Sequence, residues 1–454
     1  MSISIPIESV TKNIQKLIVS TCSVKKNKTI YEEAKTMSCF KTDTENDIIH
    51  LPIRMYDVMV EHNLDIQRPL FRKRDFKYHG PVLFTIKTDP KKYRDQDVVF
   101  DHIIKELRTD YSSFGALPTG FGKTLIGINI TCVLKYKTLI LCYFSKVNQQ
   151  WVDDIQKHTT AKVSYNIDEE ADIYVMGIKK ASNISKEKWD SLKIGFLILD
   201  EAHVATPSFF TDTVFLFKPR YFLALSATPD REDKQELLYV PFFGPVKNFI
   251  TRKEIKTFKV VKYESDFEPE IKYMTVMGKK TVVWSTIKSS LELNQDRQKL
   301  IAKIASSYKD DVILILSYTV DQTLSIAKYL EKMKESVDSY CEDDEDFDEN
   351  CRILVCGLKK GGVGFDDPRN PTLLILASDA KDVRQFEGRI RLNNFILVDI
   401  VDRYETLESH YGLREKWYLS RGGEIEIVKR KKLLEVKRRG RYVEKPLPRF
   451  LGRK

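Results

Sequence analysis

The stretch Leu117-Pro118-Thr119-Gly120-Phe121-Gly122-Lys123-Thr124 decides how the rest of the chain is interpreted. It is a glycine-containing turn that ends in Lys-Thr, and it runs into the apolar segment 125–130, which we expect to be helical. Such a turn points backbone N–H groups and the positive end of the helix dipole at one place, where a polyphosphate can be held. Lys123 is expected to reach the β and γ phosphates, and the Thr124 hydroxyl to hold Mg²⁺. The other interpretation is a turn that merely opens a core helix, and segments further along the chain decide between the two.

An acidic pair follows an apolar run 77 residues beyond Lys123. Residues 196–199, Phe-Leu-Ile-Leu, have the pattern of a buried parallel strand, and they lead into Asp200-Glu201-Ala202-His203. We expect Asp200 to hold Mg²⁺ through water, and Glu201 to orient and deprotonate an attacking water. An acidic pair can also cap a helix, but here it follows the phosphate turn in the order that phosphoryl transfer needs.

The pattern of strand followed by polar loop continues and then restarts after about residue 251, which indicates a second domain. Ser226 and Thr228 follow the apolar run 221–225 and can form bridging hydrogen bonds. In the second domain, an apolar run at 353–356 opens into a glycine-rich loop. The segment 382–391 then carries two arginines beside a glycine, which can reach out to the charge on a γ phosphate.

Two residues of the first domain carry weaker signals. Gln96 lies 27 residues before Lys123 in an expected amphipathic helix, and its amide could read a donor and an acceptor on an adenine edge. Many surface glutamines have no such role. Trp151 begins a helix after the polar residues 145–150, and we expect it to pack into the core of the domain.

Length and composition bound the class of protein. The 454 residues, 42% apolar and 31% charged, suggest two to four globular domains. No run approaches the eighteen apolar residues of a membrane span, and the first residues lack a contiguous apolar signal region. We therefore expect a soluble, intracellular protein with no membrane partner. The seven cysteines show no C-x-x-C pair, so we expect reduced thiols and no zinc or iron–sulfur site.

The positive charge is concentrated at the C-terminus. Residues 429–454 hold twelve Lys or Arg and two Glu, a net charge of +10 that equals the charge of the whole chain. This tail is either a solvated end or an arm that contacts phosphates, with Tyr442 and Phe450 available to stack on bases. The run 429–432 could also be a nuclear localisation signal.

Taken together, these segments resemble the motifs of a superfamily 2 DNA/RNA helicase over residues 90 to 420. The matching segments are Gly120 to Thr124 (motif I), Asp200 to His203 (DEAH box), Ser226 to Thr228 (motif III), Gly362 to Asp366 (motif V) and Gln385 to Arg391 (motif VI). Three further segments, Ser226 to Arg231, Phe242 to Pro245 and Leu397 to Asp402, look most like one subgroup. It includes poxvirus transcript-release helicases, related proteins of other large DNA viruses, the phage recombination helicase and the eukaryotic transcription-repair helicase.

The resemblance implies an α/β fold with two tandem RecA-like parallel-sheet domains, 91–250 and 251–428. A small accessory domain, 1–90, precedes them, and the basic tail 429–454 follows. It also implies an ATP hydrolase that uses ATP and Mg²⁺ to move along and unwind DNA or RNA–DNA duplexes, typically 3′ to 5′. The alternative is a duplex translocase or annealing motor without net strand separation. The implied partners are nucleic acid and transcription or replication machinery, in a nucleus, viral factory or virion.

The resemblance also assigns roles to individual residues. The residues expected to contact the nucleotide are Gln96, Pro118, Thr119, Gly120, Phe121, Gly122, Lys123, Thr124, Gly364 and Asp366. The residues expected to act in catalysis are Lys123, Glu201, Gln385, Arg389 and Arg391. Thr124 and Asp200 are expected to hold Mg²⁺.

The chain departs from the family pattern at two positions. Leu117 stands where a small residue is usual. Only Ile390 separates Arg389 from Arg391, where the family has two residues, so the choice of arginine finger stays open, with Arg389 favoured.

Overall fold

A computed structural model describes most of the chain up to residue 429. The described residues are 2–25, 36–64, 66, 70–81, 96–117, 121–143, 145–202, 213–227, 239–244, 250–251, 256–276, 279–341, 344, 346–358, 361, 367–380, 383, 386, 390, 392 and 394–429. The chain forms two compact units, Met1–Lys253 and Glu254–Lys454. The expected basic tail therefore lies outside the described residues, apart from Lys429.

The first unit begins with a small antiparallel sheet and two helices. Its elements are β1 (Ser2–Pro6), α1 (Lys12–Thr21), β2 (Ser23–Lys25), β3 (Thr36–Ser38), β4 (Lys41–Asp43), β5 (Ile48–Pro52) and α2 (Met55–Glu61). The strand order of the sheet is β1-β5-β4, and β2 pairs with β3 in a separate ribbon. Ile5 and Leu51 are fully buried in the same apolar cluster as Phe114 and Leu139 of the following segment. The beginning of the chain thus packs on the larger sheet of its own unit.

That larger sheet has seven parallel strands. The elements that build it are α3 (Gln96–Asp110), β6 (Ser112–Ala116), α4 (Lys123–Leu134), β7 (Thr138–Cys142), α5 (Ser145–His158), β8 (Val163–Ser164), β9 (Ile173–Gly177), α6 (Ile178–Ser182), α7 (Lys186–Leu192), β10 (Phe196–Leu199), β11 (Tyr221–Ser226), α8 (Val240–Phe243) and β12 (Ile250–Thr251). The strand order is β12-β6-β11-β10-β7-β9-β8. Strands β6, β7, β10 and β11 are buried along their whole length, because one apolar cluster covers each face of the sheet.

The second unit repeats this plan. Its elements are β13 (Phe258–Glu264), β14 (Tyr273–Val276), β15 (Lys279–Val282), α9 (Trp284–Glu292), α10 (Gln295–Ser307), β16 (Ile313–Ser317), α11 (Val320–Lys332), β17 (Val337–Tyr340), β18 (Ile353–Gly357), β19 (Leu373–Leu376), β20 (Ile396–Val401), α12 (Glu405–Ser420) and β21 (Gly423–Lys429). Seven parallel strands take the order β17-β18-β16-β19-β20-β13-β21, whereas β14 and β15 form an antiparallel ribbon of their own.

The predicted α/β class with two tandem parallel-sheet domains is confirmed. Its origin is visible in runs such as Phe196–Leu199 and Ile313–Ser317, whose apolar residues are buried on both faces of a sheet. Because all strands of each sheet are parallel, their C-terminal ends meet at one edge, where ligands bind in folds of this kind. Among the described residues, no helix has both the length and the apolar character that a membrane span requires. All seven cysteines are described, and all are buried thiols.

A buried ionic network fixes the second sheet next to the motif VI segment. Arg414 of α12 donates two hydrogen bonds to the Asp399 carboxylate on β20, at 2.8 and 3.0 Å. The same guanidinium donates to Asp379 Oδ1 at 2.7 Å and to the Ala380 carbonyl oxygen at 2.8 Å. Asp379 and Ala380 lie shortly before the segment 382–391 in sequence, and the network anchors the chain in the core as far as Ala380.

Candidate functional site

The phosphate turn enters α4 through a glycine. Gly122 has a φ of 93°, in the left-handed region that residues with a Cβ rarely adopt, and Lys123 is the first residue of the helix. The backbone conformation therefore favours glycine, and a Cβ on Gly122 would lie 2.3 Å from Gln96 Nε2, so it would also displace the Gln96 amide. The first N–H groups of α4 have no partner within the helix, and they are the groups that hold phosphate at a helix N-terminus.

Leu117 is accommodated in the core. Its side chain is fully buried in the apolar cluster that contains Ile103 and Leu225. Its backbone N–H donates to the Ser226 carbonyl oxygen at 2.8 Å, which continues the pairing of β6 with β11. The departure from a small residue is therefore a packing feature. Pro118, Thr119 and Gly120 lie outside the described residues.

The acidic pair lies at the C-terminal end of β10, beside the turn. The Asp200 N–H donates to the Leu141 carbonyl oxygen at 2.9 Å, so the sheet pairing positions the first acid. Glu201 has a φ of 49°, an uncommon left-handed conformation for a residue with a side chain. Its Oε1 lies 3.2 Å from Lys123 Nζ, and both side chains are mostly buried. The structure thus brings together a lysine and a glutamate that are 78 residues apart in sequence.

Trp151 holds the Asp200 carboxylate in place. Its Nε1–H donates to Asp200 Oδ2 at 2.8 Å, while the Glu201 backbone N–H donates to Asp200 Oδ1 at 2.9 Å. Trp151 is only 1% exposed, and a Cβ on Gly127 of α4 would lie 2.7 Å from its ring. The expected core position of Trp151 is correct, but sequence reasoning missed its polar contact. The only available signal was that a buried indole N–H needs an acceptor.

The surroundings of Asp200 disfavour the negatively charged form of its carboxyl group. Burial, and then the neighbouring Glu201 carboxylate, raise the pKa of Asp200 to about 6. Lys123 and the hydrogen bonds from Trp151 and from the Glu201 backbone oppose this rise. Both carboxylate oxygens already accept a hydrogen bond, which suits a contact with Mg²⁺ through water. The half-buried Thr124 hydroxyl, in the first turn of α4, is the second hard oxygen group that Mg²⁺ would use.

Gln96 is buried beneath the phosphate turn. It begins α3, is 2% exposed, and its Nε2 donates to the Phe121 carbonyl oxygen at 2.6 Å. This contact ties α3 to the turn that enters α4. The adenine contact stays a prediction, and the observed bond indicates a role in holding the turn.

The remaining predicted site residues lie outside the described residues. They are Gly364, Asp366, Gln385, Arg389 and Arg391, together with His203 and Thr228. Their roles stay predictions. Across the part of the chain that the structure describes, no group of three or more His, Cys, Asp or Glu side chains could hold a metal ion.

Known proteins resemble this chain in sequence and in fold. The profile of the family described as "Type III restriction enzyme, res subunit" matches residues 90–231. Putative helicase 161L of Invertebrate iridescent virus 6 is 29% identical over 457 residues, which cover 93% of this chain and 99% of that protein. The DNA 3'-5' translocase XPB2 of Sulfurisphaera tokodaii is 26% identical over 241 residues, covering 49% of this chain and 53% of that protein.

A solved structure shares the fold. Dbp5 of S. cerevisiae, bound to RNA and ADP BeF3, superposes with a TM-score of 0.51 at 12% identity, covering 75% of this chain and 91% of that chain. At this identity the likeness concerns the fold alone. The matching profile and the relatives named as helicases and as a DNA translocase indicate an ATP-hydrolysing, helicase-type enzyme that is similar to the members of helicase superfamily 2.

Proposed function

We propose that the protein hydrolyses ATP to move along and unwind DNA or RNA–DNA duplexes. The observation that carries this proposal is the meeting of Lys123, Asp200 and Glu201 at the C-terminal edge of the first sheet. An ammonium, a metal-holding acid and a second acid beside a helix N-terminus are the groups that phosphoryl transfer to water requires. The similarity to XPB2, a DNA 3'-5' translocase, supports nucleic acid as the polymer along which the protein moves.

In this proposal the turn binds the nucleotide and the acidic pair acts on it. Residues 118–124 surround the β and γ phosphates, Lys123 neutralises their charge, and Gln96 holds the turn through Phe121. Thr124 and Asp200 would hold Mg²⁺, which would supply neutralisation of the phosphate charge.

Glu201 is the proposed general base. It orients a water molecule and takes its proton while the water oxygen forms a bond to the γ phosphorus. The bond from that phosphorus to the bridging oxygen of ADP breaks, and ADP and phosphate are the products.

The second domain supplies the proposed coupling to movement. Arg389 or Arg391, with Gln385, contacts the γ phosphate when ATP is bound, and Gly364 and Asp366 contribute nucleotide contacts from the motif V loop. Hydrolysis removes the arginine contact, so the two domains alternate between two arrangements. If each domain grips the nucleic-acid backbone differently in the two arrangements, each cycle advances the protein along a strand. Contacts to the backbone give low sequence specificity and strong salt dependence.

The proposed setting is transcription, replication or recombination of the kind that large DNA viruses carry out. The similarity to a protein of Invertebrate iridescent virus 6 over nearly all of its length supports this setting. A nucleus, viral factory or virion is the corresponding place of action, with transcription or replication proteins as partners.

One experiment separates the proposed motor from its alternatives. ATP hydrolysis is measured with single-stranded DNA, duplex DNA, RNA and RNA–DNA hybrid as activators, beside a strand-displacement assay on the same substrates. We expect stimulation by DNA-containing substrates together with strand displacement. Stimulation of ATP hydrolysis by duplex DNA without strand displacement would instead support the duplex translocase or annealing motor. Hydrolysis that no nucleic acid stimulates would contradict both.

A further inference from the structure

The second unit carries an exposed two-stranded ribbon that is separate from its seven-stranded sheet. Strands β14 and β15 pair only with each other, with Tyr273 opposite Val282 and Thr275 opposite Lys280. Tyr273 is 57% exposed and Met274 48% exposed, although these side chains point to opposite faces of the ribbon. An isolated two-stranded ribbon is marginally stable in water, so one with exposed large side chains on both faces invites a functional explanation.

The ribbon is rooted at the edge of the sheet where ligands bind. Strand β13 is parallel to β20, so the chain leaves it at the C-terminal edge of the second sheet. Residues just after β13 are fixed there, because Ser265 N–H donates to the Val401 carbonyl oxygen and Arg403 N–H to the Phe267 carbonyl oxygen, both at 2.9 Å. The Glu270 N–H then donates to Ser290 Oγ of α9 at 2.9 Å. These hydrogen bonds therefore fix the position of the residues that lead into the ribbon.

Two exposed tyrosines in this region each have a lysine ammonium over the ring. Lys280 Nζ lies 5.3 Å from the centroid of the Tyr273 ring, within the ribbon. Lys288 Nζ of α9 lies 3.8 Å from the ring centroid of Tyr318, the residue that follows β16 at the same sheet edge. Tyr318 is 42% exposed. Each pair offers an aromatic face for a base and a cation for the adjoining phosphate.

The local charge favours a polyanion. Residues 271–288 contain four lysines and no acidic residue. Two of the acids that precede them face cations outside this stretch, since Glu264 faces Lys262 and Glu268 faces Arg403. Glu270 faces Lys272, so the other three lysines carry the excess charge. The ribbon and the start of α9 thus present a net positive surface in which aromatic rings alternate with cations.

From these observations we propose that the ribbon 273–282, together with the Lys288–Tyr318 pair, binds single-stranded DNA. Tyr273 and Tyr318 stack on unpaired bases, and Lys280 and Lys288 contact phosphates. The occupant is a single strand because stacking on a tyrosine needs an unpaired base. The inference rests on the proposed function, since a single strand is what an unwinding motor produces.

The test compares matched substitutions in the full-length chain. Tyr273→Ala removes the ring, whereas Tyr273→Phe keeps it. Lys280→Gln removes a ribbon charge, and Lys332→Gln removes the charge of another exposed lysine over a tyrosine ring, 5.6 Å from the centroid of Tyr329. Lys332 ends α11, which returns from the C-terminal edge of β16 toward the start of the parallel strand β17, so it lies at the opposite edge of the sheet. None of the three substituted residues belongs to the proposed ATP site.

Affinity for a fluorescent single-stranded DNA is measured by anisotropy at several salt concentrations, with ATP hydrolysis recorded in parallel. We expect Tyr273→Ala to weaken binding roughly tenfold and Tyr273→Phe to bind like the wild type. Lys280→Gln is expected to lower the slope of log affinity against log salt by about one, and Lys332→Gln to leave it unchanged. Hydrolysis without DNA should be the same in all variants.

The possible failures are distinguishable. Equal affinities of the Tyr273→Ala and Tyr273→Phe variants, on a strand that stimulates wild-type hydrolysis, would overturn the ribbon proposal alone. A wild-type chain whose hydrolysis no strand stimulates would contradict the proposed function. A loss of affinity for RNA but not for DNA, or a self-association that Tyr273→Ala abolishes with strand binding unchanged, would assign the ribbon to another occupant and overturn the proposal.

Discussion

Trp151 connects the packing of the first sheet to the charge of Asp200. Its ring lies against Gly127 of α4, and its Nε1–H donates to Asp200 Oδ2 at 2.8 Å. The same side chain therefore contacts the helix that begins at Lys123 and the acid expected to hold Mg²⁺. A residue of this kind acts through its neighbour, and its effect should appear in the dependence of the reaction on the metal.

Replacing Trp151 by Phe should weaken the use of Mg²⁺ more than it weakens the fold. The substitution keeps an aromatic ring in the core, loses the outer indole atoms near Gly127, and removes the hydrogen bond to Asp200, so one carboxylate oxygen loses its donor. We expect the Mg²⁺ concentration for half-maximal ATP hydrolysis to rise roughly tenfold, as for other residues that orient a metal-holding group. The measurement is a Mg²⁺ titration of hydrolysis at saturating ATP.

Trp189→Phe is the matched control. Trp189 is also buried, at 3% exposed, and its Nε1–H donates to the Ala181 carbonyl oxygen at 3.2 Å, with no contact to the acidic pair. Each of the two substitutions removes one buried indole hydrogen bond, which costs about 1 kcal/mol of folding stability. If both variants showed the wild-type Mg²⁺ dependence, Trp151 would have only a packing role.

The raised pKa of Asp200 predicts that acid inhibits hydrolysis. With a pKa of about 6, Asp200 carries a proton below that pH, and the neutral acid holds Mg²⁺ poorly. Hydrolysis should therefore fall as the pH drops through about 6. An unperturbed aspartate, with a pKa of about 4, would place this decline at a lower pH. Since Mg²⁺ and the proton compete for one carboxylate, excess Mg²⁺ should restore part of the lost rate. A decline that Mg²⁺ does not relieve, in protein whose circular dichroism is unchanged, would assign the loss to another group.

At the scale of elements, helix α3 and the phosphate turn are joined by one short hydrogen bond. Gln96 Nε2 donates to the Phe121 carbonyl oxygen at 2.6 Å, directly beside the glycine that starts α4. Gln96→Ala should therefore loosen the turn and raise KM for any nucleoside triphosphate, because the phosphates are common to all of them.

A comparison of ATP with GTP tests this role of Gln96. If the residue holds the turn, the KM values for ATP and GTP rise by similar factors and their ratio stays unchanged. If it reads adenine, the KM for ATP alone rises and the preference for ATP falls. The measurement is steady-state hydrolysis of both nucleotides by the wild type and by Gln96→Ala.

The elements that local sequence determines were predictable, and contacts across the fold were not. The strand at 196–199 and the turn before Lys123 follow from runs of apolar residues and from glycine chemistry. The bond from Trp151 to Asp200 joins residues 49 apart, and no local pattern encodes such a contact. Leu117 looked anomalous because its neighbours in sequence do not reveal that it faces the core. The ribbon 273–282 was not predicted, since its alternation of apolar and polar residues is too short to be distinctive.

At the scale of the whole molecule, the chain repeats one plan in two units. Each unit has a seven-stranded parallel sheet whose strand ends meet at one edge. The first unit carries the turn and the acidic pair, and in the second unit Arg414 holds Asp379 and Ala380, which lie shortly before the motif VI segment in sequence. The central proposal is that Lys123, Asp200 and Glu201 act on one triphosphate together with Arg389 or Arg391.

The most direct measurement of this claim compares ATP binding with ATP hydrolysis in three variants. They are Glu201→Gln, the double variant Arg389→Gln with Arg391→Gln, and Arg403→Gln, a control because its exposed side chain pairs with Glu268. We predict that all three bind ATP nearly as the wild type does. Glu201→Gln should hydrolyse it at least about 100-fold more slowly, and the double arginine variant about 1,000-fold more slowly, with Arg403→Gln unaffected. Wild-type turnover in either the Glu201→Gln or the double arginine variant would contradict the claim of a single shared site.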